Sequence, residues 1–328
     1  MMRLAVVAAI LPAMSAFAAD SVFERYSFAN VEKPVYYTAT GPIEKGSASK
    51  LAVVHIHGWG GGFHVSKEEV PMFNALREAM GNDAVAPYVI SPLFPRKGIF
   101  KKAKVQLDNR AVWNSSWSTS LKIPGSRHDD WRGGGDADGT HMSSYDIVDS
   151  VLAALGDRSR FPNLRRVVLT GYSAGGQFVG RYVAVGKGVV RDGVELVYAA
   201  MAPSSELRLD RDVRWHYGLK DRPRYSAQMT YEQILKNLSS RRVWRECGTA
   251  DTKVAPFTPL DSCSEAMAQG GNRYERFRNF EQYLKQFPEW AKQVSFYSLE
   301  GVGHENAVVH SSRPFIEFAV GDVAGKGK

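Results

Sequence analysis

The chain reads as an α/β protein, a mostly parallel central sheet flanked by helices, and three observations predict this. Short β-rich apolar runs alternate with longer segments at helical spacing, as strands joined by covering helices do. Two of these runs, Leu51 to Ile56 and Arg166 to Thr170, end in glycine-bearing turns that open directly into helical patterns. The 328 residues are 44% hydrophobic and 23% charged, which suits a globular core and excludes whole-chain disorder.

Taken in order, the chain opens on MMRLAVVAAILPAMSAFAAD. Arg3, the apolar run Leu4 to Leu11 and the small-x-small pattern Ala16-Phe17-Ala18 predict a signal peptide over residues 1–18. Pro12 cuts the run well short of the roughly 20 apolar residues a membrane span needs. The expected product is residues 19–328, exported to the periplasm or secreted, with no integral membrane segment after cleavage. Residues 19–328 are expected to form one domain. Leu51 to Ile56 is the first clear core strand, followed by the turn His57-Gly58-Trp59-Gly60-Gly61-Gly62. The next helix has Ser66 and Glu69 spaced as a capping box, with Met72, Phe73, Leu76 and Met80 at helical spacing. Tyr88 to Pro92 is a strand.

Residues of about 96–141 then form a long polar insertion that holds Trp113, Trp117 and Trp131. Loops of such length inside a compact domain usually serve function. Helical spacing returns at Ile147, Val148, Val151, Leu152 and Leu155. Strands follow at Arg166 to Thr170 and Val194 to Ala202, then a second insertion of about 203–236 around Trp215 and Tyr217. Strands at Arg242 to Cys247 and Val294 to Leu299 bracket a helix carrying Tyr274, Phe277, Phe280, Leu284 and Phe287 on one face. The two insertions leave the sheet on the same side, so Trp113, Trp117, Trp131, Trp215 and Tyr217 are expected to line a substrate pocket there.

The net charge of +8 is scattered. Without a clustered basic face or a recognisable module, it predicts no nucleic-acid partner. The cysteines are Cys247 and Cys263 alone, and export makes them an expected disulfide. His55 and His57 form an H-x-H pair on a strand, and Asp129, Asp130, Asp136 and Asp138 an acidic run. Neither shows a full ligand set at recognisable spacing, so no metal and no cofactor is expected.

The most informative pattern is Gly171-Tyr172-Ser173-Ala174-Gly175, which fits G-x-S-x-G between the apolar strand Val167-Val168-Leu169 and a helix holding Phe178, Val179 and Tyr182. A strand turning abruptly into a helix exposes its central serine in a strained conformation, and the flanking residues must be small for backbone to pass. On these residues the chain resembles the α/β-hydrolase superfamily. Ser173-Ala174-Gly175-Gly176-Gln177 and Gln269-Gly270-Gly271-Asn272-Arg273 are similar to a poorly characterised branch of exported esterase- and lipase-like bacterial and fungal hydrolases. The resemblance implies a sheet of about eight strands and a small-molecule or polymeric ester substrate.

It also implies a chain order of nucleophile, acid, base. Of the eight histidines, only His304 and His310 follow a plausible acid. His304 lies in a glycine loop just past the last strand and is the expected base, whereas His310 falls within a helix. Asp251, in the turn Gly248-Thr249-Ala250-Asp251 after a strand, is the expected acid, with Asp261 and Glu246 as rivals. Oxyanion donors are expected from the backbone of Ala174 and, by resemblance, of Trp59, with Gly60 in reserve. Two other readings remain open: an amidase or peptidase using the same residues, and a non-catalytic binding protein on the same fold.

Overall fold

The computed structural model describes residues 23–28, 31–59, 66–81, 85–96, 109–113, 130–254 and 260–323. The expected signal peptide, Gly60, Trp117 and Asp129 lie outside them. Eight strands form one sheet among the described residues: β1 (Glu24–Ser27), β2 (Tyr36–Ala39), β3 (Leu51–Ile56), β4 (Tyr88–Pro92), β5 (Arg166–Tyr172), β6 (Glu195–Met201), β7 (Val243–Gly248) and β8 (Val294–Leu299). Their order is β1-β2-β4-β3-β5-β6-β7-β8. The pairings of β2 with β1 and with β4 are antiparallel, and every other pairing is parallel. Strand β2 therefore runs against the rest. β1 and β2 have no clear apolar run, and the sequence reading missed them.

Helices cover both faces. They are α1 (Ser66–Met80), α2 (Ser144–Leu155), α3 (Ala174–Val185), α4 (Tyr231–Ser240), α5 (Ser264–Met267), α6 (Arg273–Leu284), α7 (Pro288–Ala291), α8 (Asn306–His310) and α9 (Arg313–Val320). Every residue of β3, β4 and β5 is buried, which is why these strands read as continuous apolar runs. Alternation then sorts their side chains between two cores. Ala52, Val54, Ile56, Val167 and Leu169 pack with α2, α3 and α4, whereas Leu51, Val53 and Val168 pack with α1 and α9.

Local signals explain most helix starts. Ser143 with Asp146 and Thr230 with Gln233 form complete capping boxes on α2 and α4. Glu69, expected to pair with Ser66 in a capping box, has another partner. Glu69 is fully buried and accepts a hydrogen bond from Thr38 Oγ1 at 2.9 Å, so its carboxylate turns into the protein beside β2.

The aromatic residues of the insertions also depart from expectation. Trp113, Trp131, Trp215 and Tyr217 are at most 2% exposed, so they are packing residues that cannot line an open pocket. Trp131 stacks on Phe94, Trp113 meets Phe94 edge-on, and the indole N–H groups of Trp113 and Trp215 donate to Gly135 O and Gly133 O. Large rings bury more area by joining a core than by facing solvent, and here they fasten the insertions to the sheet.

The expected disulfide is absent: Cys247 and Cys263 are both free thiols. Cys247 is buried in the core shared with α1 and α9, whereas Cys263 packs against Tyr217 and Ala266 in a separate small cluster. The two sulfurs belong to different apolar environments.

The β5–α3 turn is one of the tightest points of the fold. A Cβ added at Gly175 would lie 2.0 Å from Ile56 O and 2.9 Å from His57 O, and one at Gly171 2.4 Å from Gly175 C. Helix α3 is thus pressed directly onto the backbone of β3. Gly175→Ala should destabilise the protein by about 1–3 kcal/mol or more, as overpacking does. A denaturant midpoint equal to that of the parent would show that the backbone contact is not as close as described.

Candidate active site

Ser173 occupies the apex of the turn between β5 and α3, with φ 56° and ψ −112°. A non-glycine residue in such a region costs on the order of 1–3 kcal/mol and persists only where its surroundings over-determine it. Here they do. Ser173 N donates to Met201 O at 2.9 Å, Gln177 N donates to Ser173 O at 2.9 Å, and the adjacent glycines admit β3 and β6.

His304 comes from the loop after β8, and its Nε2 lies 3.0 Å from Ser173 Oγ. Its Nδ1 lies 2.6 Å from Asp251 Oδ2, in the loop after β7. With Nδ1–H donating to the carboxylate, Nε2 is left as the acceptor facing the serine hydroxyl. Asp251 is 1% exposed, and its backbone is fixed from two sides, by Asp251 N donating to Gly248 O and by Tyr274 N donating to its carbonyl. Gly248 admits the His304 loop, since a Cβ there would lie 2.0 Å from Val302 O. Burial pulls the His304 imidazole below its ordinary value, Arg273 adds to that, and Asp251 opposes it.

The other expected acids and bases stand elsewhere. Asp261 accepts hydrogen bonds from Gln177 Nε2 and Ser205 Oγ, both at 2.8 Å. Glu246 accepts from Trp244 Nε1 at 2.7 Å. His310 is fully buried, its Nε2 3.1 Å from Thr170 Oγ1. The H-x-H pair is structural. His57 Nε2 accepts from Phe94 N at 2.9 Å while Nδ1 lies 2.8 Å from Gly58 O, and His55 Nδ1 lies 3.2 Å from Ser91 Oγ. Among the described residues no group of three His, Cys, Asp or Glu side chains is arranged to hold a metal ion. Within the acidic run, Asp130 pairs with Arg132 and Asp136 with Arg224.

The turn after β3 lies against the first turn of α3, so Trp59 and the amide of Ala174 belong to the same end of the sheet. The Trp59 ring carries guanidinium groups: Arg96 at 3.9 Å from its centroid and Arg132 at 4.5 Å. Arg132 also donates twice to the Asp130 carboxylate, at 2.8 and 2.7 Å, and to Gln177 Oε1 at 3.2 Å. Gln177 in turn bonds Ser205 and Asp261. This buried network, with Tyr172 and Arg273 beside the histidine, was missed from sequence. Gln177 and Arg273 stand inside conspicuous motifs, but nothing in spacing alone says what an isolated Gln or Arg will touch.

Strand order, the antiparallel strand β2 and the serine at the β5–α3 turn define the α/β-hydrolase fold. No protein-family model matches the chain, and no curated protein matches it in sequence. Solved structures do. Poly(aspartic acid) hydrolase-1 from Sphingomonas sp. KT-1 is 19% identical with a TM-score of 0.60, covering 90% of this chain and 98% of its own. A poly(3-hydroxybutyrate) depolymerase from Bordetella parapertussis is 17% identical with a TM-score of 0.61, covering 90% of this chain and 88% of its own. At these identities the likeness establishes a shared fold.

Buried histidines give the site a pH signature. Burial lowers His57 to about 4, His310 well below its ordinary value, and His304 in the same direction. Below pH 6.5 the unfolded chain protonates these rings first, so stability falls as pH drops from there towards the folded values. His57 alone should cost about 3 kcal/mol by pH 4. Urea unfolding compared at pH 7 and pH 5 checks this, and stability that is unchanged or higher at pH 5 would contradict it.

Proposed function

We propose that the chain is an exported serine hydrolase that cleaves a carboxylic ester through an acyl-enzyme intermediate. The observation that carries this reading is the continuous relay from Asp251 Oδ2 to His304 Nδ1 (2.6 Å) and from His304 Nε2 to Ser173 Oγ (3.0 Å). In it, His304 takes the proton of Ser173 as the hydroxyl oxygen attacks the substrate carbonyl. Asp251 holds the imidazole in the required tautomer and stabilises the imidazolium. The backbone N–H of Ala174, at the start of α3, and that of Trp59 receive the negative charge of the tetrahedral intermediate; each such donor is typically worth about 2.7–4 kcal/mol. His304 then gives its proton to the leaving alcohol, and water repeats the sequence on the acyl-enzyme. The lowered imidazole favours this cycle, because a base must be neutral to begin it.

The substrate under this reading is a small-molecule or polymeric ester. The names of the two similar structures, one a poly(3-hydroxybutyrate) depolymerase and one a poly(aspartic acid) hydrolase, are consistent with a polymer. Export rests on the N-terminal pattern of residues 1–18, and the proposed location is periplasmic or secreted. Among the described residues no helix is long and apolar enough to cross a membrane.

A fluorophosphonate probe should label the parent protein, and Ser173→Ala should abolish both labelling and hydrolysis of p-nitrophenyl esters while leaving the fold intact. Labelling at an unchanged level in that variant would end the serine mechanism, and a parent that never labels would favour a binding protein. Asp251→Asn should lower kcat by about 10⁴-fold, as loss of the acid does in comparable sites. Asp261→Asn should cost far less, since its carboxylate serves Gln177 and Ser205. The reverse ranking in steady-state kinetics would remove Asp251 from its assigned part.

A further inference from the structure

Helix α6 begins with Arg273, and the segment before it is spent on placing that residue. Gln269 clamps the backbone of Glu206 from both sides, accepting from its N–H at 2.7 Å and donating to its carbonyl at 2.9 Å. Gly270 adopts φ +141°, a conformation other side chains rarely adopt, which turns the chain. Gly271 N donates to Glu275 Oε2 at 2.7 Å, and Asn272 caps the helix by accepting from Glu275 N at 2.9 Å. The result is a guanidinium, 1% exposed, whose Nη1 lies 3.9 Å from Asp251 Oδ1, the oxygen that His304 does not use. Among the described residues that oxygen accepts no hydrogen bond and is sealed from solvent. The neighbouring residue Tyr274 donates its N–H to the Asp251 carbonyl at 3.3 Å.

We propose that Arg273 is a positioning residue of the active site, which faces the buried far oxygen of Asp251 and holds that carboxylate in register with His304. The inference rests on the serine-hydrolase reading and adds a fourth member to its relay. A buried carboxylate facing only a neutral imidazole is poorly compensated, and a buried cation on its far oxygen offsets that cost. The same cation disfavours a second positive charge on the imidazole, so the pair Arg273 and Asp251 is close to neutral as seen from His304.

Among the described residues, groups face His304 from several elements. β5 and the turn after it present Tyr172, whose hydroxyl lies 3.1 Å from Nδ1, and Ser173; the loop after β7 presents Asp251; α6 presents Arg273. Behind them lie the buried Cys247 thiol on β7, His310 with its ring 6.2 Å from Tyr172, and Glu68 on α1, hydrogen-bonded to Asn306. The adjacent Glu305 carboxylate is engaged with Gly303 N at 3.3 Å. Among the described residues named here, Arg273 is the permanent cation. Burial and Arg273 lower His304 together, against the pull of Asp251.

The test is an NMR titration of the His304 imidazole in the full mature chain, the signal being assigned by its loss in His304→Ala. Arg273→Gln should move the His304 midpoint to higher pH, and Arg273→Lys should leave it nearer the parent. The acid limb of kcat/KM for p-nitrophenyl acetate should follow to higher pH in Arg273→Gln, with a loss smaller than the roughly 10⁴-fold expected for Asp251→Asn. Should the Gln variant fail to fold, Asp251→Asn and the double variant Asp251→Asn/Arg273→Gln keep the test open, since the double variant leaves no lone buried ion. Its His304 midpoint should lie above that of Asp251→Asn alone. Equal midpoints in those two proteins, or an unmoved midpoint in Arg273→Gln, would overturn the proposal. Fluorophosphonate labelling of the parent is a separate readout, so failure of the hydrolase reading is distinguishable from failure of this one.

Discussion

The close approach of helix α3 to the backbones of β3 and β6 sets the geometry on which the rest depends. A helix at ordinary distance would leave the chain between β5 and α3 room to relax, and Ser173 would settle into a common conformation. Contact at Gly171, Gly175 and Gly176 forbids that relaxation. The turn is therefore over-determined, and the serine hydroxyl is held out at the end of the sheet. The same contact brings the amides at the start of α3 alongside the turn after β3. Sheet and helix packing thus place the nucleophile candidate and its prospective oxyanion donors through one steric constraint.

Electrostatics complete what the steric constraint begins. Asp251 and Arg273 are buried together, and buried ion pairs are weak sources of stability. The pair Arg132–Asp130, also buried and joined through Gln177 to Asp261 and Ser205, has the same character. These charges are more economically understood as fixing positions than as strengthening the fold. Arg132 reaches from the insertion to the Trp59 ring and to Gln177 one turn along α3, so three segments distant in sequence share one rigid arrangement.

Much of this was legible in the residues. Strands β3, β4 and β8 fall where the sequence predicted them: β3 and β4 because strands buried along their whole length are continuously apolar, and β8, a partly exposed edge strand, because its run is bounded by turns. Ser173, Asp251 and His304 were named from a motif, a turn and a loop, and the structure brings their side chains within hydrogen-bonding distance of one another. What was not legible had no local pattern. β1 and β2 are short and rely on partners for definition. Trp113, Trp131 and Trp215 join the core instead of lining a pocket, and a tryptophan in a long polar loop looks the same in sequence whether the loop folds back or stays open. The cysteine pairing failed similarly: two cysteines in an even count say nothing about which core each will join.

The burial of Cys247 ties the reactivity of its thiol to the integrity of the fold. The thiol is fully enclosed, and its ionisation is suppressed by burial and by the nearby Asp251. Since the thiolate is the reactive form, attack at this sulfur must wait until β7 parts from its neighbours. Cys263, half-buried at the edge of a small cluster, needs no such event. The chain therefore carries two thiols of unlike access, Cys263 partly exposed in the folded protein and Cys247 enclosed by the strand that ends at the acid loop. Damage by oxidants would follow the same order, reaching the strand that carries Asp251 last.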